Sequence, residues 1–88
     1  MKVLYEKSFL QDLKKVSDQD TLDKVNDIIE IIKSSTSLQQ VKNIKKLHGH
    51  PKAFRIRLGE FRIGLFYEND SAIFVRFLNR KDIYNRFP

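Results

Sequence analysis

Residues 54–67 read FRIRLGEFRIGLFY and carry the clearest indication of the fold. On both sides of Gly59-Glu60, apolar residues occupy every second position, a period of two that indicates β-strands with one buried face. Glycine at the first of two turn residues is typical of a type II′ turn, so the stretch predicts a β-hairpin. The two-residue turn sets the register of the hairpin and places Arg57 directly opposite Arg62.

The same alternation returns in residues 73–78, IFVRFL, after a turn built from residues 69–71. We expect a three-residue loop at this turn, because it brings Arg76 beside Gly64 and keeps the apolar side chains of the strand on the buried face. Those side chains are Ile73, Val75 and Phe77. A two-residue loop would instead turn Arg76 towards the core and bury its charge at a cost in free energy.

Before residue 53 the apolar residues recur at helical spacing. Val3-Leu4-Tyr5 suits a short strand, and a first helix is predicted to begin at Ser8. Its apolar face comprises Phe9, Leu10, Leu13 and Val16. Residues 17–20 break this helix and supply an N-cap for a second helix, which ends in residues 34–37. The apolar stripe of the second helix comprises Leu22, Val25, Ile28, Ile29 and Ile32.

These elements predict an α+β fold with the order β-α-α-β-β-β, in a single domain over residues 1–88. An N-terminal strand and a two-helix hairpin are expected to combine with a small antiparallel β-sheet, the helices packing on one of its faces. Residues 38–52 are interpreted as a basic connection between the second helix and the sheet.

The composition excludes several kinds of chemistry. Without cysteine, the chain has no disulfide, no cysteine-ligated zinc and no thiol nucleophile.

The sequence predicts neither a signal peptide nor a membrane span, because Glu6 interrupts the first residues too early for a signal peptide and no apolar run approaches the length of a membrane span. We therefore expect a soluble protein of the cytoplasm that has no membrane partner.

Charge is divided unevenly along the chain. Residues 1–44 hold seven lysines against seven acidic residues, whereas residues 45–88 hold ten basic groups against four acidic ones, so the whole net charge of +6 lies in the second half. All six arginines are in that half: Arg55, Arg57, Arg62, Arg76, Arg80 and Arg86. Because the planar arginine fork pairs two donors with a phosphate, this set predicts a nucleic-acid ligand, with RNA favoured.

The exposed face of the predicted sheet carries an arginine cluster. It comprises Arg55, Arg57, Arg62 and Arg76 around Gly64, with Phe66 and Phe74 nearby to stack on bases. Like charges directly opposite each other destabilise a hairpin, and a local conflict of this kind tends to mark a functional site. The alternative is a solvated strand face on which Gly64 is a bulge or a twist point. Lys46, Lys52 and Lys81 are the further basic groups assigned to substrate binding.

Candidates for proton transfer are fewer. His48 and His50 flank Gly49 in a predicted loop, where they either supply acid–base chemistry or simply belong to the loop. Glu60 lies on the hairpin turn beside the arginines, where it either serves as a base or is simply exposed. For Tyr84 three roles stay open: base stacking, proton donation or anchoring of the C-terminus. The sequence shows no Ser/His/Asp order, no glycine-rich phosphate loop and no acidic metal cluster, so we expect neither a metal ion nor a cofactor.

Four segments resemble the RelE/ParE superfamily of toxins from type II toxin–antitoxin modules. They are Lys46-Leu47-His48-Gly49, Phe54-Arg55-Ile56-Arg57-Leu58, Phe61-Arg62-Ile63-Gly64-Leu65-Phe66-Tyr67 and Arg80-Lys81-Asp82-Ile83-Tyr84. The predicted helix pair followed by a β-meander also matches, so the resemblance spans nearly the whole chain. In RelE-like members this fold cuts mRNA in the ribosomal A site, and in ParE-like members it inhibits DNA gyrase.

The resemblance implies a role for individual residues. It places phosphate-binding groups at Arg55 and Arg57, the transition-state arginine at Arg62, a second catalytic arginine at Arg80 and the catalytic aromatic residue at Tyr84. ParE-like members typically lack this full set, which favours the ribonuclease. Asn79 stands where many relatives have histidine, so the proton donor stays open among Tyr84, Glu60, a loop histidine and a ribosomal group.

We therefore expect a toxin that is a metal-independent, ribosome-dependent mRNA endoribonuclease and inhibits translation. Arg57 is expected to assist Arg62, Arg80 and Tyr84 in catalysis. The expected partners are mRNA in the A site, ribosomal RNA and an acidic antitoxin bound in a hetero-oligomer. Two alternatives remain at this point: a non-nucleolytic gyrase inhibitor of the ParE type, and a decayed toxin that only binds RNA or its antitoxin.

Overall fold

The computed structural model describes residues 1–88 as three helices and five strands. In chain order they are β1 (Lys2–Tyr5), α1 (Lys7–Lys14), α2 (Gln19–Ser34), a single 3₁₀ turn (Leu38–Gln40), β2 (Ile44–Lys46), β3 (Ala53–Leu58), β4 (Phe61–Glu68), β5 (Ser71–Asn79) and α3 (Arg80–Arg86). None of the three helices has the length and apolar character that crossing a membrane requires.

The strands form one mixed sheet in the order β1-β5-β4-β3-β2. β1 pairs with β5 in parallel, whereas the other three pairings are antiparallel. The predicted α+β fold class is confirmed, and the N-terminal strand joins the antiparallel part of the sheet through one parallel pairing. The chain uses α1 and α2 to cross from one edge of the sheet to the other, so β1 and β2 become opposite edge strands.

Helices α1 and α2 cover one face of the sheet, here called the α1–α2 face, as the sequence predicted. The main core lies between these helices and the sheet. In it, the ring of Phe9 of α1 stacks on the ring of Phe74 of β5 at 5.3 Å, and α2 buries Val25, Ile29 and Ile32. Leu10 was assigned to the apolar face of α1 but is 47% exposed, because that face is narrower than its apolar spacing suggested.

The N-cap of α2 is Asp18, as predicted from residues 17–20. Its side chain accepts hydrogen bonds from the backbone N–H and the hydroxyl of Thr21. The hydroxyl bond is the main cause that lowers the pKa of the Asp18 carboxyl below its ordinary value.

Two elements were not predicted. Residues 38–52 contain β2, whose three residues offer a single apolar side chain, Ile44, and hence no alternation to detect. The C-terminal residues form α3, with Asn79 as its N-cap: the Asn79 side chain accepts a hydrogen bond from the N–H of Lys81 at 3.0 Å. Helix α3 packs on the opposite face of the sheet, here called the α3 face.

The β3–β4 hairpin has the predicted register. Arg57 lies opposite Arg62 and Arg55 lies opposite Gly64. Gly59 has a φ of 57° whereas Glu60 does not have a positive φ, which is the pattern of a type II′ turn.

The β4–β5 connection differs from the prediction. It is a two-residue turn, in which Asn69 and Asp70 both have positive φ, 52° and 57°, as a type I′ turn requires. A β-bulge at Gly64/Leu65 then shifts the register, so that Arg76 still lies opposite Gly64. A bulge inserts one extra residue into a strand, and this is how β5 combines a short turn with the expected Arg76 pairing.

The bulge changes which side chains of β5 are buried. Ala72, Phe74 and Phe77 belong to the main core, whereas Val75 packs on the α3 face. Phe74 is fully buried and stacks on Phe9, so its predicted role as an exposed base-stacking residue was wrong. Of the predicted buried set, Phe77 is confirmed; Ile73 and Val75 are only partly buried.

Arg76 does not join the exposed arginine cluster. Helix α1 lies along the part of β5 that extends beyond β1, where Ser8 donates to the carbonyl of Val75 at 2.6 Å. There Asp12, almost fully buried, accepts from Arg76 Nε at 2.8 Å, from Arg76 Nη2 at 3.0 Å and from the N–H of Phe77 at 2.9 Å. Arg76 is thus bound to a buried carboxylate: its predicted pairing with Gly64 is confirmed, but its predicted place in the exposed arginine cluster was wrong.

Candidate functional site

A cationic pocket opens on the exposed end of the α3 face. It is a shallow cavity of about 290 Å³. Its lining residues are Asn43, Ile44, Lys45, Arg55, Arg57, Arg62 and Tyr84. A larger groove of about 540 Å³ lies on the α1–α2 side, but its only cation is Lys46. Chemistry, and not size, therefore singles out the smaller cavity, which we call the arginine pocket.

The two opposed arginines of the hairpin are held apart by neutral acceptors. Arg62 Nη1 donates to the carbonyl oxygens of Gly59 and Phe61, both at 2.8 Å, so its guanidinium folds onto the β3–β4 turn. Arg57 Nη2 donates to Oδ1 of Asn43 at 3.3 Å. The like charges predicted to conflict thus point to different acceptors, which reduces their repulsion without neutralising either one.

No carboxylate compensates the charge of the arginine pocket. The five ion pairs of the molecule engage Lys24, Lys33, Lys52, Arg76 and Arg80 as cations. Lys45, Arg55, Arg57 and Arg62 belong to none of them. Four cations without an acidic partner around one cavity favour an anion, and their arrangement as three guanidinium groups suits phosphate oxygens.

Tyr84 is the aromatic wall of the arginine pocket. It belongs to α3 and is 64% exposed. The guanidinium carbon of Arg55 lies 4.6 Å from the centroid of its ring, in the geometry of a cation–π contact. The contact orients the side chains of Arg55 and Tyr84, while most of the tyrosine surface stays accessible to a ligand.

Helix α3 is fixed by a second, smaller core on the α3 face. Ile83 is fully buried and Phe87 is 5% exposed. The ring of Phe87 packs at 5.2 Å from the ring of Phe66 and lies directly against Gly64. Phe66 is therefore partly covered by the C-terminal segment, and its role in substrate binding stays a prediction. Gly64 likewise accommodates Phe87 and leaves no open space for a ligand.

Several predicted substrate-binding residues lie outside the arginine pocket. Lys46 is on the α1–α2 side of β2, where it lines a groove with Phe54 and Tyr67. Lys52 pairs with Glu68 at 2.7 Å. Lys81 is exposed on α3 but does not line the pocket. The structure thus does not bring these three lysines together with the arginines.

The predicted catalytic set is assembled only in part. Arg57, Arg62 and Tyr84 line the arginine pocket together with Arg55. Arg80 is exposed and forms an ion pair with Glu60 at 3.1 Å, so these two candidates for catalysis bind each other. Whether Arg80 takes part in catalysis stays a prediction.

Two polar residues of the pocket were not among the candidates predicted from the sequence. Lys45 lies opposite Arg55 in the β2–β3 pairing and therefore shares its face. Asn43, with a φ of 64°, precedes β2 and contacts Arg57. Both residues owe their position in the pocket to β2, whose sequence shows no apolar alternation. The only signal for β2 in the sequence was that Lys45-Lys46 lies shortly before β3, the first strand of the hairpin.

The histidines lie apart from the arginine pocket. His48 and His50 line a separate cavity in the β2–β3 loop, together with Lys45 and Lys46. Glu60 faces Arg80 at the turn. Among the candidates for proton transfer, Tyr84 is the one that lines the arginine pocket. No group of three or more His, Cys, Asp or Glu side chains stands close enough together to hold a metal ion.

The chain is similar in sequence to two curated toxins of Methanocaldococcus jannaschii, although no protein-family model matches it. Toxin RelE3 is 44% identical over 89 aligned positions, which cover 100% of both chains. Putative toxin RelE1 is 30% identical over 77 positions, which cover 86% of this chain and 84% of the relative.

Solved structures agree with this similarity. The RelB–RelE antitoxin–toxin complex from Methanococcus jannaschii contains a chain that superposes with a TM-score of 0.83 at 40% identity, covering 97% of this chain and 99% of that chain. The archaeal RelE–RelB complex from Pyrococcus horikoshii gives a TM-score of 0.74 at 16% identity and covers 90% of this chain and 93% of that chain. At that identity the second likeness concerns the fold alone.

Proposed function

The chain belongs to the RelE family of toxins from toxin–antitoxin modules, and we propose that it is a ribosome-dependent mRNA endoribonuclease that inhibits translation. The observation that carries the proposal is the arginine pocket, in which three guanidinium groups without acidic partners surround an accessible tyrosine. A phosphodiester with an adjoining base matches both features, since arginines bind the phosphate and an aromatic ring stacks on the base.

The proposed reaction uses the 2′-hydroxyl of the RNA as nucleophile. Its oxygen forms a bond to the adjacent phosphorus, and the bond from phosphorus to the 5′-oxygen breaks. The 2′-hydroxyl must lose its proton, and the departing 5′-oxygen must gain a proton. Negative charge develops on the phosphoryl oxygens, and Arg62, Arg57 and Arg55 are placed to stabilise it. Stabilisation of this kind is usually the largest single contribution to a rate enhancement.

Proton transfer is the weaker half of this chain's own machinery. Arginine is an unsuitable base because its guanidinium group stays protonated at physiological pH. Tyr84 lines the pocket and is the group of this chain that we assign to proton donation or to stacking on the base. A pocket with strong charge stabilisation and few proton-transfer groups suits an enzyme whose substrate is aligned by the ribosome, which explains the proposed dependence on it.

The same charge distribution supports an antitoxin partner. The similar chains from M. jannaschii and P. horikoshii come from complexes of RelE with RelB. This chain has a net charge of +6 and an unneutralised arginine pocket, which favour an acidic protein segment by charge complementarity. We propose that an acidic antitoxin forms a hetero-oligomer with this toxin and masks the pocket, and that the toxin acts in the cytoplasm, where mRNA is translated.

The test is inducible expression of the chain, with mapping of mRNA 5′ ends and a parallel assay of DNA supercoiling. We expect new 5′ ends within translated reading frames, abolished by Arg62→Ala and retained in Arg86→Ala. Arg86 is the matched control, because it is also exposed and outside every ion pair but does not line the pocket. Growth arrest with intact transcripts and inhibited gyrase would contradict the proposal, as would equal loss of cleavage in both variants.

A further inference from the structure

Phe87 occupies the place that a side chain at position 64 would take. A Cβ atom built on Gly64 would lie 2.6, 2.7 and 2.9 Å from three atoms of the Phe87 ring. All three distances are shorter than real Cβ contacts show, so any residue other than glycine forces the ring or the strand to move. Gly64 has no positive φ, and its role here is therefore the close approach of the ring and not a special backbone conformation.

The contact between Phe87 and Gly64 is one of the attachments that hold α3 on the sheet. Helix α3 has only seven residues, and its buried side chain is Ile83. Its N-terminal end is tied to the hairpin turn by the N–H of Arg80, which donates to the carbonyl of Glu60 at 2.8 Å. At the other end, the N–H of Phe87 donates to the carbonyl of Ile83 at 2.9 Å, so the last helical turn and the seated ring move as one.

Tyr84 lies between these two attachments. It follows the buried Ile83 in the chain and is the residue of α3 that lines the arginine pocket. A short helix held at its ends transmits a displacement of either end to the residues between them. A displacement of α3 would therefore change the distance of 4.6 Å between the Arg55 guanidinium carbon and the centroid of the Tyr84 ring.

We propose that Phe87, seated on Gly64, is a positioning residue of the arginine pocket that fixes the Tyr84 ring over Arg55. Phe87 does not line the pocket itself and acts through Tyr84. The inference rests on the proposed function only in giving Tyr84 a role in cleavage. The position of the Tyr84 ring is measured independently of any activity.

The test labels the three tyrosines of the chain with 3-fluorotyrosine and follows the ¹⁹F resonance of Tyr84, assigned with Tyr84→Phe. We expect Phe87→Ala, Phe87→Leu and Gly64→Ala each to move this resonance towards that of solvent-exposed fluorotyrosine. The double variant Gly64→Ala/Phe87→Leu should return it part of the way to the wild-type position, because the smaller side chain makes room for the added methyl group. Phe77→Leu is the matched control, a similar core change on the α1–α2 face that should leave the resonance in place.

Cleavage assays then separate positioning from stability. If Tyr84 is misplaced, kcat should fall by up to about 10²-fold with little change in KM, since a misplacement of ~1 Å has an effect of this size. A folded Gly64→Ala protein with an unmoved Tyr84 resonance, or a double variant whose shift is simply the sum of the single ones, would overturn the proposal. A moved resonance and restored double variant without any ribosome-dependent cleavage in the wild-type protein would support positioning and contradict the proposed function.

Discussion

At the scale of single residues, the arginine pocket depends on cations that are held in place by neutral groups. Arg62 donates to two backbone carbonyls and Arg57 donates to the Asn43 amide. A carboxylate in either place would bind its arginine more strongly but would also cancel the charge that a phosphate requires. The neutral acceptors thus orient both guanidinium groups and keep them available for an anion.

Arg62→Ala is expected to abolish toxicity with little effect on folding. The variant loses hydrogen bonds to partly exposed carbonyls and gains relief from the opposed Arg57, so we expect the free energy of unfolding to change by less than about 1 kcal/mol. Loss of one preorganised donor lowers a rate by about 10²–10³-fold. Arg62→Lys should restore activity only in part, because an ammonium group cannot reproduce the two-pronged contact.

Growth assays beside urea unfolding of the purified variants measure both effects. A markedly destabilised Arg62→Ala protein would identify Arg62 as a structural residue of the turn. A fully toxic one would remove it from the catalytic set.

Asn43→Asp tests the idea of neutral acceptors. The new carboxylate would pair with Arg57 and compete with phosphate, so we expect weaker binding of a single-stranded RNA oligonucleotide with the fold retained. Asn26→Asp is the control, since it makes the same charge change on the exposed side of α2. Fluorescence titrations at two salt concentrations give the affinities; equal weakening in the two variants would show that net charge, and not the Asn43–Arg57 contact, determines binding.

At the scale of secondary-structure elements, the attachment of α1 to β5 stabilises the bulged strand. Asp12 accepts a hydrogen bond from the N–H of Phe77 and forms an ion pair with Arg76. The side chain of Asp12 is 4% exposed and that of Arg76 is 21% exposed. Because β1 ends at Tyr5, this part of β5 pairs with β4 on one side and has no strand on the other. The carboxylate takes the place of a missing strand, and this is why an arginine in an otherwise apolar strand is tolerated.

Removal of Asp12 is expected to destabilise the protein severely. Asp12→Ala leaves a partly buried guanidinium and a buried N–H without their acceptor, and breaking such a buried pair typically costs about 3–5 kcal/mol. Lys24→Ala, which breaks the exposed pair with Asp20, should change stability by less than about 1 kcal/mol. Thermal unfolding of both variants makes the comparison; similar melting temperatures would contradict a structural role for the Asp12–Arg76 pair.

The same elements show how far the sequence alone predicts this molecule. The β3–β4 hairpin was predicted in detail because a two-residue turn and strict alternation fix its register locally. The bulge in β5 was not, since it depends on Asp12, 64 residues away from Arg76. The unpredicted strand β2 had a direct effect on the site: a strand turns alternate residues to opposite faces, so Lys45 and not Lys46 shares the face of Arg55.

At the scale of the whole molecule, the sheet separates two kinds of surface. Its α1–α2 face is covered by helices that belong to the half of the chain without net charge, while the β2 edge and the α3 face belong to the half that holds the whole +6. Within that half, ion pairs neutralise Lys52, Arg76 and Arg80. Of the seven basic groups of that half that form no ion pair, four line the arginine pocket.

RNA affinity should therefore depend on where positive charge is removed and not only on how much. For single-stranded RNA, each phosphate contact contributes a slope of about −0.7 to the dependence of log K on log salt concentration. Arg55→Gln/Arg57→Gln should reduce the magnitude of this slope by about 1.4, the loss of two contacts. Lys14→Gln/Lys15→Gln removes the same net charge from two exposed lysines of the uncharged half and should leave the slope nearly unchanged. Titration of a labelled oligonucleotide over a series of salt concentrations decides between the two, because a protein that attracts RNA by net charge alone would give the same slope for both double variants.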